Sequence, residues 1–323
     1  MKNILHIILI SIISLIVISC AKKSDSSSSS STCTSSDVSF LAVGASGTIL
    51  TSADGTCWTA QTSGTTNNLR AFAIKPSTIG VVVGYSGTIL TSSDAITWTS
   101  RTSGTTENLT NVTYSGSAFV ATGASGTILG SSDGITWFDR TLSCGSTEDM
   151  WAINLESSTG VIIGDNGSIY TSSDRGDSCT KRSSGTTVEF NELLYGNSTF
   201  VAVGYNGTVL TSSDGITWVS RTSSTTNNLY GGTYTDSNHD GEKAFVLVGE
   251  SGKIISSENG NSWTTVSPPS ITTGNLYGIA RGNKTWVLVG ASGYIASISD
   301  GESDVTTRTS GTTGSLRRVF YKP

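Results

Sequence analysis

Histidine is almost missing from this 323-residue chain, which holds only His6 and His239. With one imidazole beyond the first twenty residues, a His-based metal site and a Ser-His catalytic site are excluded. Charge is scarce too: Asp, Glu, Lys and Arg make up 13% of residues, with a net charge of −5. Clustered Lys and Arg mark a nucleic-acid footprint, and their absence excludes nucleic acid as a partner. The one long apolar run, Ile4 to Ile18, is shorter than the about 20 residues of a spanning helix. Five cysteines are present without a CxxC pair or zinc-type spacing, which excludes a thioredoxin-like motif and a zinc finger.

What is there is repetition. A glycine ending an apolar run recurs at Gly44, Gly84, Gly123, Gly164, Gly204, Gly249 and Gly290, in steps of 40, 39, 41, 40, 45 and 41 residues. A fixed period of this length signals a repeat architecture. Each copy holds four short segments of alternating hydrophobicity; in the second they are Leu69–Lys75, Val81–Tyr85, Thr88–Thr91 and Thr97–Thr102. Ser-Gly or Asn-Gly separates the second and third segments, as at Asn206-Gly207, and Asp-Gly the third and fourth, as at Asp214-Gly215. Such dipeptides accept the positive φ angles of type I′ hairpins. Two tight hairpins and a longer return predict a four-stranded antiparallel blade, and seven copies predict an all-β, seven-bladed β-propeller.

The ends are complementary. The repeats start at Val38–Val43, a second strand lacking a first, and stop at Leu316–Tyr321, a first strand lacking a second. Their pairing is expected to close the ring as a monomer, leaving no open sheet edge at the ends of the array.

Before the repeats come two other regions. Residues 1–19 have the basic start, short apolar core and small residue of a secretory signal. The last four residues of Val17-Ile18-Ser19-Cys20 resemble a bacterial lipobox, which implies acylation of Cys20 and a membrane anchor. Removal of 1–19 takes away only Lys2, leaving 18 basic and 24 acidic residues, a net of −6. Residues 20–36, rich in serine, read as a flexible tether, and residues 37–323 as the propeller. The expected location is the bacterial cell envelope, at the outer membrane or cell surface rather than the inner membrane.

Ser131 to Trp137 and Ser212 to Trp218, both SSDGITW, resemble the Asp-box or BNR repeat, S-x-D-x-G-x-x-W. Most copies place the aspartate one residue late; Ser256-x-Glu258-x-Gly260 keeps the spacing, and Ser172-x-Asp174-x-Gly176 ends in Cys179 rather than tryptophan. Sialidases share such boxes, but that resemblance implies activity only with an arginine triad, a Tyr/Glu pair and an acid, which the non-repeat residues do not supply. The photosystem II stability and assembly factor family is also similar, through GxxGTIL followed by S-x-DG-x-x-W. That resemblance implies a non-enzymatic scaffold with a protein partner. A glycan-binding lectin-like or sialidase-like glycan-active propeller is the alternative.

Function in a repeat protein is sought where the copies differ. The repeated tryptophans (Trp58, Trp98, Trp137, Trp218, Trp263) and arginines (Arg101, Arg140, Arg182, Arg221, Arg308) are in register, so they read as blade packing and protected outer edges. Two other positions vary and are expected on one face. The turn position supplies Tyr85 and Tyr205, and the position after each blade's leading apolar residue supplies Arg70, Trp151, Tyr230, Tyr277 and Arg317. Aromatics and arginines on a concave face are expected to form the partner-binding surface.

Two smaller expectations remain. Asp236-x-Asn238-x-Asp240-Gly241 matches the start of a calcium loop, although position twelve is Leu247, so a single weak Ca²⁺ site is weighed against a plain polar turn. Exported chains favour disulfides. Cys33 and Cys57 are expected at one end of the first blade and are the favoured pair, whereas Cys144 and Cys179 fall near opposite ends of neighbouring blades.

Overall fold

The structure, a computed structural model, describes residues 37–140, 145–155, 159–174, 177–236, 243–268, 271–299 and 304–322. Their 28 strands form seven four-stranded antiparallel sheets. Blade 5 shows the plan, running outward from the channel through Phe190–Gly196, Thr199–Gly204, Val209–Ser212 and Val219–Arg221. The innermost strands of blades 2, 3, 4, 6 and 7 are Leu69–Lys75, Leu109–Tyr114, Met150–Asn154, Leu229–Asp236 and Leu276–Gly282. Blade 1 takes its innermost strand, Leu316–Tyr321, from the C-terminal end and its other three, starting at Phe40–Gly44, from the N-terminal end. The register Phe40↔Tyr321 to Gly44↔Leu316 closes the ring as the complementary ends predict.

Among the described residues, the buried core is spread around the ring. Buried side chains form seven clusters, one at each interface between neighbouring blades. At the closing junction Phe40, Ala42 and Leu50 pack against Val287, Val289 and Ile295 of blade 7. Within four blades a tyrosine, a phenylalanine and a tryptophan stack as a ladder, as in Tyr195–Phe200–Trp218, with ring centres 4.6 and 6.4 Å apart. Blade 2 has Gly80 at the phenylalanine position, and a Cβ there would stand 2.7 Å from Phe72. The Phe72 ring thus takes the missing one's place beside Trp98.

The first hairpin follows expectation: Asn206 and Gly207 both adopt positive φ, 53° and 66°, and the Thr208 amide donates to the Tyr205 carbonyl. The second does not. At Asp214-Gly215 only the glycine has positive φ, so this is a longer loop and not a type I′ turn. Side chains fill the vacated hydrogen bonds. The Ser212 hydroxyl accepts from the Gly215 amide at 2.8 Å, Asp214 accepts from the amides of Ile216 and Thr217, and the Trp218 indole donates to the Gly215 carbonyl. These bonds favour the charged carboxylate and hold the Asp214 pKa below the ordinary aspartate value. Blade 6 uses the same frame through Ser257 and Asn259. The sequence spacing through Ser256 and Glu258 therefore aligned the wrong pair, one residue early. The repeated arginines serve the scaffold: Arg101, Arg182, Arg221 and Arg308 each donate to a third-strand hydroxyl at 2.8 Å.

The repeat-defining glycine has a structural cause. Each sits in extended backbone, where a Cβ would come within 2.1–2.4 Å of the carbonyl oxygen preceding its own blade's innermost strand. No side chain fits that gap. Gly204→Ala is expected to cost about 2 kcal/mol or more, because both clashing groups are backbone. Gly185→Ala, at φ 74° with no atom within 4 Å, is expected to cost only about 1–2 kcal/mol of left-handed strain. Thermal unfolding of the two variants tests the ordering.

Candidate functional site at the channel mouth

In all seven blades the ladder between the innermost and second strands skips one residue at the same place. Phe190 pairs with Gly204 and Glu192 with Val203, leaving Asn191 out; the equivalents are Arg70, Thr110, Trp151, Tyr230, Tyr277 and Arg317. A bulge of this kind re-aims one side chain. Here it directs the variable residue of every blade to the same end of the channel, where the second-to-third-strand turns add Tyr85 and Tyr205. Arg70, Tyr85, Trp151, Tyr205, Tyr230, Tyr277 and Arg317 all line one cavity of about 310 Å³, together with Glu189 and Arg318. Each of the seven is half-buried, and none belongs to the apolar clusters between blades.

The cavity has two unlike sides. On one, the Arg70 guanidinium lies 5.5 Å from the Tyr85 ring centre and 5.6 Å from that of Trp151, and Arg317 lies 4.3 Å from Tyr277. Thr110 makes the reach of Arg70 to Trp151 possible. It is small, buried and tied through its hydroxyl to the carbonyls of Thr122 and Met150, so it leaves the space over blade 3 open. Burial, and then the charge of Arg317, push the Arg70 pKa below the ordinary arginine value. Tyr230 continues the aromatic arc, with its ring centre 6.4 Å from Tyr205 and 5.4 Å from Tyr277.

The other side is acidic. The residue before the innermost strand is Asn68, Asn108, Asn228 or Asn275 in four blades, but Asp149 in blade 4 and Glu189 in blade 5. The asparagines accept from the neighbouring blade's turn amide, as Asn228 does from Asn206 at 2.9 Å, and Asp149 keeps that role toward Ser125. Asp165 stands beside them and accepts the indole N–H of Trp151. Burial, then the charge of Asp149, raises the Asp165 pKa; burial, then Asp165, raises that of Glu189.

Below the mouth, the half-buried Arg318 pairs with the buried Glu192. Arg318 lines the mouth and also a second cavity of about 360 Å³ further along the channel. Blades 6 and 7 have Gly231 and Gly278 at the equivalent positions, so no side chain from them separates the pair. Burial and the charge of Arg70 push the Arg318 pKa down to about 10.

Sequence reasoning missed Glu189, Asp149, Arg318 and Glu192. The signal was present as the acids replacing asparagine in consecutive blades and the charged residues at a position otherwise Ala, Asn or Gly. Two bulges and the residue after one of them bring Arg70, Arg317 and Arg318 to the cavity that Glu189 also lines. Asp236 ends the innermost strand of blade 6, at the far end of the channel from this mouth, while Asn238 and Asp240 lie outside the described residues. Cys20, Cys33 and Cys144 lie outside them too. Cys57 and Cys179 are each in a disulfide, their partners not being among the described residues.

Solved structures share this fold. YCF48 bound to D1 peptide superposes with a TM-score of 0.61 at 20% identity, over 75% of this chain and 80% of that one. YCF48 from Cyanidioschyzon merolae gives 0.59 at 16% identity over 76% and 86%. Sqt1 of Saccharomyces cerevisiae gives 0.57 at 12% over 79% and 78%. No family model matches the sequence, and no curated protein does.

A carboxyl that binds its proton more readily in the folded state lowers stability as pH rises from the unfolded value, near about 4, through its raised folded value. Asp165→Asn removes that charge and keeps an oxygen for the Trp151 N–H. It is expected to raise the melting temperature at pH 7 by about 2 °C, a figure discounted for partial exposure. At pH 3, where both states are protonated, the difference is expected to vanish.

Proposed function

We propose that this protein is a non-enzymatic docking propeller, an assembly scaffold that binds a protein partner at the channel mouth. The observation that carries the reading is the convergence of five bulge residues and two turn residues on one cavity. Tyrosine, tryptophan and arginine dominate binding hot spots because they combine large contact area with directed polar groups. The rigid ring fixes those groups before the partner arrives, which lowers the ordering cost of binding. A propeller of this fold, YCF48, is described with a bound peptide, and the blade motifs resemble an assembly-factor family. An acylated Cys20 and the serine-rich tether would hold the ring at the cell envelope.

A second reading has one observation in its favour. Arginines, tyrosines and acids in one cavity also suit an acidic glycan, so a lectin-like role is the alternative.

Affinity capture from crosslinked native cells separates the two. Wild-type protein is expected to retain a specific protein that the variant Trp151→Ala, Tyr230→Ala, Arg317→Ala loses while keeping its β-sheet circular dichroism. Identical capture by both would remove the mouth from the docking role. Retention of a glycan and no protein would establish the lectin-like reading instead.

A further inference from the structure

The mouth keeps its opposite charges apart. Arg70 and Arg317 line the same cavity, and both rest on aromatic faces with no carboxylate paired to either among the described residues. Glu189 lines the same cavity, and Asp165, which holds the N–H of the lining Trp151, adds a second carboxylate near it with Asp149. An aromatic face attracts a cation without neutralising it, and half-buried like charges raise the cost of leaving both ends unmatched. The molecule shows the other solution deeper in the channel, where Arg318 and Glu192 do pair. Trp151 links the two sides, with the Arg70 guanidinium over its ring and its N–H on Asp165.

We infer that the mouth selects a partner segment carrying one acidic and one basic group, with the acidic group seated between Arg70 and Arg317 and the basic group against Asp165 and Glu189. The inference rests on the docking reading above and names the chemistry of what docks. The cavity, about 310 Å³, has room for a few side chains and not for a folded domain. Arg318 lines both this cavity and the one below it, and the segment would enter from the mouth. Tyr205, Tyr230 and Tyr277 border the space between the charged ends and would pack on apolar atoms between the two groups. Charge complementarity of this kind fixes orientation and rejects wrong partners more than it adds affinity. A segment with the two charges exchanged would set like against like at both ends.

The probe is a phage-displayed random octapeptide library panned on the wild-type ring, on Arg317→Gln and on Asp165→Asn, Glu189→Gln. Wild type is expected to enrich peptides with an acidic and a basic residue at one fixed separation and order, by about tenfold over the exchanged order. Arg317→Gln is expected to lose the acidic preference alone, and the double variant the basic preference alone. A variant that failed to fold would lose both, so each controls for the other. Enrichment of acidic residues without basic ones, loss of both preferences in a variant that is still folded, or no enrichment by wild type overturns the inference. If the crosslinked capture still loses its protein in the mouth variant, docking stands and only the two-charge selection falls.

Discussion

The whole mouth depends on a missing Cβ. Seven glycines at the ends of the second strands let a carbonyl from the start of the same blade approach to where a side chain would begin. The amide after each glycine donates to that carbonyl, as Tyr205 does to Glu189 and Ala45 to Ser315. With that contact made, the innermost strand accommodates one residue more than its partner, and the extra residue turns toward the channel. Position in the repeat therefore decides where a side chain points, and identity is free to vary there. Tyrosine, tryptophan, threonine, asparagine and arginine all occupy the bulge without altering the backbone.

This separation of duties explains what was legible in the sequence. The period, the turn glycines and the complementary ends are backbone requirements repeated seven times, so they stand out and give the ring and its closure. The seven mouth residues were legible for the same reason, since fixed offsets from the glycine and the leading apolar residue locate them. Glu189 and Asp149 were harder to see because they replace asparagines whose main task is capping a neighbouring turn. Arg318 and Glu192 are distant in sequence and lie on the innermost strands of different blades, so only the closed ring brings them together. The Asp-Gly loop was misread as a tight turn because its closure comes from Ser212, Asp214 and Trp218 side chains, which a dipeptide rule does not register.

Stability and recognition are likewise divided. The seven apolar clusters and the aromatic ladders lie between and within blades, away from the mouth. The charges that remain unmatched are concentrated where they cost stability, as the raised Asp165 and Glu189 show. A fold whose core is spread around a ring tolerates such a site, because each blade is held by its own two neighbours.

Site-specific photocrosslinking tests the central claim most directly. A benzophenone amino acid at position 230 probes the mouth, and the same group at positions 138 and 219 probes the outer edge, where Phe138 and Val219 are exposed large apolar side chains. Docking through the mouth gives a crosslinked protein partner from position 230 and none from 138 or 219. A partner joined at the outer edge, with none at 230, would contradict it.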